Sequence, residues 1–383
     1  METTPHRLRE LAAVFLRLGA TAFGGPAAHI AVMRDEFVDR RGWVTDDEYA
    51  ELIGLANLVP GPNSTEVAMH IGRVRAGRRG LVVAGVAFIL PAFVLMTALA
   101  WLYTEFGALP RFRGALAAVA AVVVVLVLDA AITLARSTIR DATAVTIFAV
   151  ATAAALLGLH DLAILVAAGA VAWIARRATR GRSGAATTVA LTLGGVVEAV
   201  GPVAATVGPV ALIPILLVFA QIGAILYGSG YVLYALLEQI LVHQHHWITQ
   251  RQLLDAIAAG QLTPGPLFTT ATFIGFTLRG IPGAVVATVG IFLPAFGFVA
   301  VTDVVVRRLR GNAGFAAVVG GVVAASLGLM VAVLVALGRQ AITGVGPAVI
   351  AGVALVLLWR RRPNPLWLIL AAGAAGIAWP HLG

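Results

Sequence analysis

The chain has 383 residues, of which 60% are hydrophobic and 12% charged, and its mean hydropathy is +0.94. This composition excludes an ordinary soluble domain and is typical of an α-helical protein that crosses a membrane many times. The formal net charge of +9 comes from arginines in short connections between apolar segments, which favours cytoplasmic loops over nucleic-acid binding.

The first apolar segment begins at Leu11 after a polar start. No short apolar stretch ends in a cleavage signal, so we expect no removed signal peptide. Arg17 lies within this segment, where an ionisable side chain is costly and is a candidate for function. It is predicted either to pair with an anionic substrate or to extend its long side chain to the membrane surface.

A Phe-Gly-Gly-Pro sequence then interrupts the apolar segment. Gly24 and Gly25 allow close approach of the backbone, and Pro26 can start a half-helix that runs through His29. These residues are therefore candidates for substrate binding. The alternative is that the small residues serve only helix packing.

Trp43 and Thr45 precede the next helix, and Glu48 follows Thr45 at the spacing of a capping box. The tryptophan is typical of a membrane–water interface. We expect these residues to start a helix and to perform no chemistry.

A Pro-Gly-Pro sequence, Pro60 to Pro62, should break the next apolar segment. Proline removes an amide donor and pushes the preceding residue out of the helical region, and Gly61 relaxes the backbone between the two prolines. Pro62 then suits the first turn of a half-helix, whose unpaired amides would form an anion seat at membrane depth. The polar residues beside these amides are Asn63, Ser64 and Thr65. The alternative is a kink that only helps packing.

Glu66 follows this seat directly, beside His70. A carboxylate near bound anion is useful only if protons are coupled to transport, because protonation removes the repulsion. Glu66 is therefore a candidate for proton coupling, and the alternative is an ion pair with Arg73 or another nearby arginine. Asp129 and Asp303 lie in other apolar segments and are weaker candidates.

These features recur later in the chain. The second Pro-Gly-Pro lies 204 residues after the first, whereas Gly283 lies 203 residues after its counterpart Gly80. One residue is thus missing between these points in the second copy. The second copy's counterparts, all candidates for substrate binding, are Pro264, Gly265, Pro266, Thr269 and Thr270. A duplicated unit with helix breakers at matching places in apolar segments is typical of a secondary transporter.

The arginine clusters predict the topology. The loop after the first Pro-Gly-Pro is rich in arginine and its counterpart is not, whereas the loops after the Leu-Pro-Ala-Phe sequences show the reverse. We therefore expect an all-α polytopic membrane protein with two inverted-topology repeats of about six spans each. The predicted repeats are 10–176 and 206–381, joined by a cytoplasmic loop and linker span at 177–205. Whether the Pro-Gly-Pro segments cross the membrane or dip in and return stays open.

The combination of Phe-Gly-Gly-Pro, His29, Glu36, Trp43, Pro-Gly-Pro and Leu90-Pro91 resembles the CHR family of chromate ion transporters, in its long, duplicated form. The resemblance covers roughly 10–381. It implies efflux of chromate across the inner membrane, and hence chromate resistance. Asn57 stands where a glutamine is expected, although Gln261 matches it in the second copy. Together with the missing second Phe-Gly-Gly-Pro, this leaves substrate preference open.

The expected function is thus secondary export of chromate through the plasma (inner) membrane by a multi-pass protein. The alternatives are a sulfate or related oxyanion transporter and a passive anion channel. We find no nucleotide-binding loop, catalytic constellation or cysteine, so no enzyme activity, cofactor or metal is expected. His243, His245 and His246 lack a carboxylate at ligand spacing and are interpreted as a solvated loop. The lipid bilayer is the expected partner, and small-residue surfaces suit a homodimer as well as packing within one bundle.

Overall fold

The structure, a computed structural model, describes residues 4–22, 25–56, 60–107, 109–157, 159, 161–178, 210–226, 233–309, 313–361 and 363–378. Over these ranges all the regular structure is helical, which confirms the all-α prediction. The linker predicted at 177–205 and Gly24 lie outside the described residues, apart from the end of the helix before the linker.

The helices of the first copy are α1 (Thr4–Thr21), α2 (Gly25–Arg34) with a π-helical continuation (Asp35–Arg40), α3 (Asp46–Ala56), α4 (Asn63–Phe106), α5 (Pro110–Thr138), α6 (Ala142–Leu156) and α7 (Asp161–Ala178). Those of the second copy are α8 (Leu212–Ile225), α9 (Leu233–Leu237) with a π-helical continuation (Glu238–Gln244), α10 (Gln250–Leu262), a 3₁₀ turn (Leu267–Thr269), α11 (Thr270–Leu309), α12 (Ala313–Ala341), α13 (Val345–Arg361) and α14 (Pro365–Ala378). Apart from this 3₁₀ turn, the element order, including the π-helical turn, is the same in both copies.

The two capping boxes predicted from the sequence are present. The side chain of Thr249 accepts a hydrogen bond from the amide of Gln252, whose side chain accepts one from the amide of Thr249. Thr45 and Glu48 make the same reciprocal pair at the start of α3. These bonds satisfy amides that a helix start would otherwise leave without partners, and they fix where α3 and α10 begin.

Helix α4 is two helices joined by a tight reversal at Ala76 and Gly77. Ala76 has φ −146° and ψ 27°, and Gly77 has φ 62° and ψ −151°. A side chain on Gly72 would collide with the carbonyl oxygen of Gly80, although residues eight apart in a continuous helix are separated by about 12 Å. The chain therefore turns back on itself, and glycine at the left-handed position permits the turn. The second copy reverses with the same backbone angles at Arg279 and Gly280.

The residue missing from the second copy falls between Pro266 and Gly275, because the Pro-Gly-Pro is offset by 204 residues and Gly72 and Gly275 by 203. Where the first copy begins an α-helix at Asn63, the second has the 3₁₀ turn Leu267–Thr269. A 3₁₀ helix rises about 2.0 Å per residue and an α-helix about 1.5 Å, so three residues gain about 1.5 Å, the rise of one α-helical residue. The tighter turn thus restores the length that the deletion removes.

The two ends of the segment from Trp43 to Arg75 are in contact with each other. The guanidinium of Arg75 lies 5.0 Å from the ring centroid of Trp43. Arg75 also binds Glu10 of α1 at 3.1 Å, and Arg41, just before Trp43, binds the same carboxylate at 2.6 Å. Helix α3 and residues 63–75 therefore form a hairpin with the Pro-Gly-Pro at its far end.

Among the described residues, four stretches are long and apolar enough to cross a membrane, namely Asn63–Phe106, Arg113–Arg136, Leu267–Val301 and Gly314–Ala341. Shorter apolar helices accompany them at Ala142–Leu156, Leu212–Ile225 and Pro365–Ala378. Their outward faces carry half-exposed apolar side chains such as Val86 and Leu293, as expected where lipid covers the surface.

Candidate functional site

Each Pro-Gly-Pro is tied by its glycine to the first helix of the other copy. The amide of Gly61 donates to the carbonyl of Leu226, just after α8, at 2.8 Å. The amide of Gly265 donates to the carbonyl of Ala22, just after α1, at 3.0 Å. The described residues of four interruptions, which we call the four breaks (Ala22, Pro60–Pro62, Leu226 and Thr263–Pro266), therefore converge where the two copies meet.

The alanines of the two Leu-Pro-Ala-Phe sequences make room for this convergence. A Cβ atom on Gly265 would lie 2.9 Å from the Cβ of Ala92 and 3.1 Å from the carbonyl oxygen of Gly19. A Cβ atom on Gly61 would lie 3.3 Å from the Cβ of Ala295. Each glycine thus packs on the long helix of the other copy, where a larger side chain than alanine would separate the two.

His29 connects two breaks of the first copy. Its Nε2 lies 3.0 Å from the carbonyl oxygen of Ala22, and its Nδ1 lies 3.2 Å from the hydroxyl oxygen of Ser64. A carbonyl oxygen only accepts, so Nε2 carries the proton, and in the neutral ring Nδ1 accepts from Ser64. The histidine and serine are buried. Their counterparts 204 residues on, Leu233 and Phe268, are apolar, so the second copy lacks this connection.

Glu66 is fully buried beside the first Pro-Gly-Pro, and neither carboxylate oxygen has a hydrogen-bond partner among the described residues. Its Oε1 occupies the space that a Cβ atom on Gly61 would fill. The hydroxyl of Thr65, also fully buried, likewise has no partner in the described part of the chain. The ion pair with Arg73 considered from the sequence is absent from the described contacts of Glu66. An ionised carboxylate in this setting is strongly disfavoured unless something neutralises it.

The threonine hydroxyls of the second copy donate hydrogen bonds to nearby backbone carbonyls. Thr269 donates to the carbonyl of Pro266 at 2.7 Å, and Thr270 donates to that of Leu267 at 2.8 Å. Either bond would have to break before the hydroxyl could donate to a ligand. Ser64 of the first copy likewise bonds the ring of His29, whereas the hydroxyl of Thr65 has no partner in the described part of the chain.

The structure places Arg17 in an ion pair. Its guanidinium binds the carboxylate of Glu36 at 2.6 Å, and about half of its side chain is exposed. Glu36 is itself buried and also binds Arg41 at 2.7 Å. After the first break, Gly25 is the first residue of α2 and Pro26 the second, so the half-helix begins where the sequence predicts.

The histidine loop of the second copy was interpreted from the sequence as solvated, but only two of its three histidines are exposed. His243 and His246 are exposed, but His245 is buried and stacks on Trp247 with the ring centroids 4.8 Å apart. It occupies the place of Arg41, whose guanidinium lies 5.2 Å from the ring centroid of Trp43. The described residues contain no group of histidine and carboxylate side chains that could hold a metal ion.

Sequence reasoning missed the main contacts between the copies. The hydrogen bonds of Gly61 and Gly265 join backbone groups, so the amino-acid types do not indicate them. One signal was present, since alanine follows Leu-Pro in both copies, at Ala92 and Ala295. The partner of Arg17 was also missed, although Glu36 was part of the recognised pattern.

Comparison with known proteins identifies the family. The family model described as chromate transporter matches residues 9–174 and 213–377, which together cover both copies. The chromate transport protein of Cupriavidus metallidurans is 32% identical over 388 residues, covering 100% of this chain and 96% of the relative. The probable chromate transport protein of Synechococcus elongatus is 32% identical, covering 98% and 96%, and the chromate transport protein of Pseudomonas aeruginosa is 32% identical, covering 99% and 94%.

No solved structure matches the chain. The apolar helices agree with a multi-pass membrane protein, and a family of transporters points away from an enzyme. The match across both copies agrees with the long, duplicated form that the sequence pattern indicated. The chain therefore belongs to the chromate transporter family.

Proposed function

We propose that the chain is a secondary transporter that exports chromate through the plasma (inner) membrane and thereby confers chromate resistance. The observation that carries this proposal is the convergence of the four breaks. Two backbone hydrogen bonds hold them together, from Gly61 to Leu226 and from Gly265 to Ala22. Irregular backbone is tolerated at membrane depth where it is buried in protein or lines a cavity, and transporters place their sites at such interruptions.

The proposed topology has two inverted repeats. The hairpin of α3 and residues 63–75 starts and ends beside Glu10, close to the arginine cluster at the reversal of α4, so we place both ends on the cytoplasmic side. The Pro-Gly-Pro then dips into the membrane and returns. The second copy, with the same element order, would enter from the opposite side. The breaks would thus meet near the midplane, with the repeats at 10–176 and 206–381.

The proposed substrate site is built from the first breaks and the half-helix after Pro62. The amides at the start of that half-helix, with the side chains of Asn63, Ser64 and Thr65, supply donors suited to a tetrahedral oxyanion. The other groups that we place around the anion are Gly24, Gly25, Pro26, His29, Pro60, Gly61, Pro264, Gly265, Pro266, Thr269 and Thr270. Arg17 would contribute only after leaving Glu36, so we assign it a lesser role.

Energetics favour export over uptake. Moving one charge through 100 mV is worth about 2.3 kcal/mol, so a dianion leaving a cell at roughly −120 mV gains about 5.5 kcal/mol. This corresponds to about four decades of concentration ratio. Export therefore needs no ATP, whereas uptake of the same ion would need cotransported cations.

The test is chromate flux into everted membrane vesicles that contain the full chain, with sulfate as competitor. We expect saturable uptake of chromate and exchange of labelled chromate across the membrane. Vesicles that move sulfate but exclude chromate would overturn the substrate assignment. Flux that does not saturate and shows no exchange would identify a passive channel instead.

A further inference from the structure

An anion among the four breaks would find no positive charge there. The breaks consist of Ala22, Pro60 to Pro62, Leu226 and Thr263 to Pro266, and none of these residues is charged. Helix α8, which packs against α11, also has no charged residue. Neutralisation of a carboxylate and of an anion in this region must therefore come from elsewhere.

The titratable and charged groups around Glu66 can be named element by element. Its own half-helix carries His70 and Arg73, and the guanidinium of Arg73 donates to the carbonyl of Val299 at 2.6 Å. Helix α2 contributes His29, whose ring already joins Ala22 and Ser64. Helix α1 contributes Arg17, held by Glu36, and the half-helix of the second copy has no charged residue before Arg279. Helix α3, which packs against α4, carries no basic residue, and its titratable residues are Asp46, Asp47, Glu48, Tyr49 and Glu51. Among the described residues, no cation is bound to Glu66.

Thr65 and Glu66 are thus two fully buried side chains without partners among the described residues. They lie at the start of a half-helix whose N-terminus has no side-chain cap. A dianion beside an ionised Glu66 would meet a like charge in a dry setting, which is strongly unfavourable. A neutral carboxylic acid instead has an O–H group that can donate to the oxyanion. The protonated side chain would then help to bind the anion instead of repelling it.

We propose that the transporter moves one proton with each anion and that Glu66 carries it. This inference rests on the proposed oxyanion transport. On the side where the anion enters, the carboxylate of Glu66 takes a proton from water, and the new O–H group donates to the anion. On the other side the O–H bond breaks, the proton returns to water and the anion leaves. No electron is transferred, and proton and anion travel in the same direction.

Proton coupling changes the driving force for export. A dianion with one proton carries one net charge, so a potential of roughly −120 mV supports about two decades of concentration ratio instead of about four. Export stays favourable, while the steady gradient depends on the pH difference across the membrane.

The test measures protons that move with the anion. The full chain is reconstituted into vesicles that hold a pH-sensitive dye, above the second pKa of chromic acid so that the free substrate is a dianion, and chromate is added outside. We expect the wild type to carry about one proton inward with each chromate, measured as acidification inside the vesicles. Glu66→Gln, whose side chain cannot release a proton, should exchange labelled chromate without moving protons.

The control is Asp255→Asn. Asp255 is also a buried carboxyl, but it accepts a hydrogen bond from Tyr103 at 3.0 Å, away from the four breaks, so this variant should keep about one proton per anion. Glu66→Asp, which keeps a carboxyl group, should also take up a proton and serves if the glutamine variant folds poorly. Transport of chromate by the wild type without proton movement, or undiminished proton movement by Glu66→Gln, would overturn the inference. Failure of the wild type to bind chromate or sulfate would overturn the proposed function, and the inference with it.

Discussion

Replacement of Gly265 by alanine perturbs the contact between the two copies most directly. The glycine has φ +93°, and a Cβ atom there would lie 2.9 Å from the Cβ of Ala92 and 3.1 Å from the carbonyl oxygen of Gly19. The second of these neighbours is backbone of α1, so it cannot swing aside. Relief requires movement of the whole break, which weakens the bond from the amide of Gly265 to Ala22.

The magnitude follows from two costs. A non-glycine residue in such a conformation costs of order 1–3 kcal/mol. Overpacking of a close contact costs about 1–3 kcal/mol more. Together they amount to about 2–6 kcal/mol, and since about 1.4 kcal/mol corresponds to tenfold, the population with the break correctly seated should fall by at least about 30-fold.

The assay is the initial rate of chromate uptake into everted vesicles, divided by the amount of protein in the membrane. The control is Gly297→Ala, because a Cβ atom on that glycine would meet nothing within 4 Å. We expect the control to transport within about twofold of the wild type. If Gly265→Ala also transports within twofold, the contact between the copies does not hold the site together, and the reasoning fails.

Three further predictions concern the first copy. Gly61→Ala and Pro62→Ala should each abolish chromate resistance while the protein still inserts, as judged by growth and membrane immunoblot, and unchanged resistance in both would contradict the anion seat. His29→Leu, which introduces the residue of the second copy, leaves Ala22 and Ser64 without this partner at a cost of about 1–3 kcal/mol, so vesicle flux should fall at least about fivefold. Arg17→Gln removes a half-exposed ion pair worth at most about 1 kcal/mol, so flux should stay within severalfold, and complete loss would indicate direct contact with the substrate.

The interruptions of the helices could be predicted because proline and glycine act locally. Pro-Gly-Pro removes amide donors and frees the backbone wherever it stands, and both of its copies end one helix and precede another. The capping boxes at Thr45 and Thr249 are local in the same sense.

The reversal within α4 could not be predicted in this way. Ala76 and Gly77 lie in an arginine-rich stretch whose sequence predicts an ordinary loop. In the structure the chain reverses there within two residues. The tight turn depends on Gly72 and Gly80 lying side by side, a contact between residues that neither composition nor periodicity marks.

The candidate site was predicted as a set of residues but not as an arrangement. His29 and Ser64 were both named, yet their contact spans 35 positions of the chain and carries no spacing signal. The asymmetry of the site was visible in part, since Glu66 has Thr270 as its counterpart. That the second copy's threonines bind their own backbone became clear only from the structure.

The exchange of hydrogen bonds between the copies has a consequence for how the chain is assembled during synthesis. When the first half emerges, the amide of Gly61 lacks the carbonyl of Leu226, and the carbonyl of Ala22 has the ring of His29 but not the amide of Gly265. The bonds between the copies therefore form only when α8 and the second Pro-Gly-Pro arrive. The halves are thus interlocked members of one cooperative unit, and a chain cut between residues 179 and 209 should regain function only when both fragments are produced together in the same membrane.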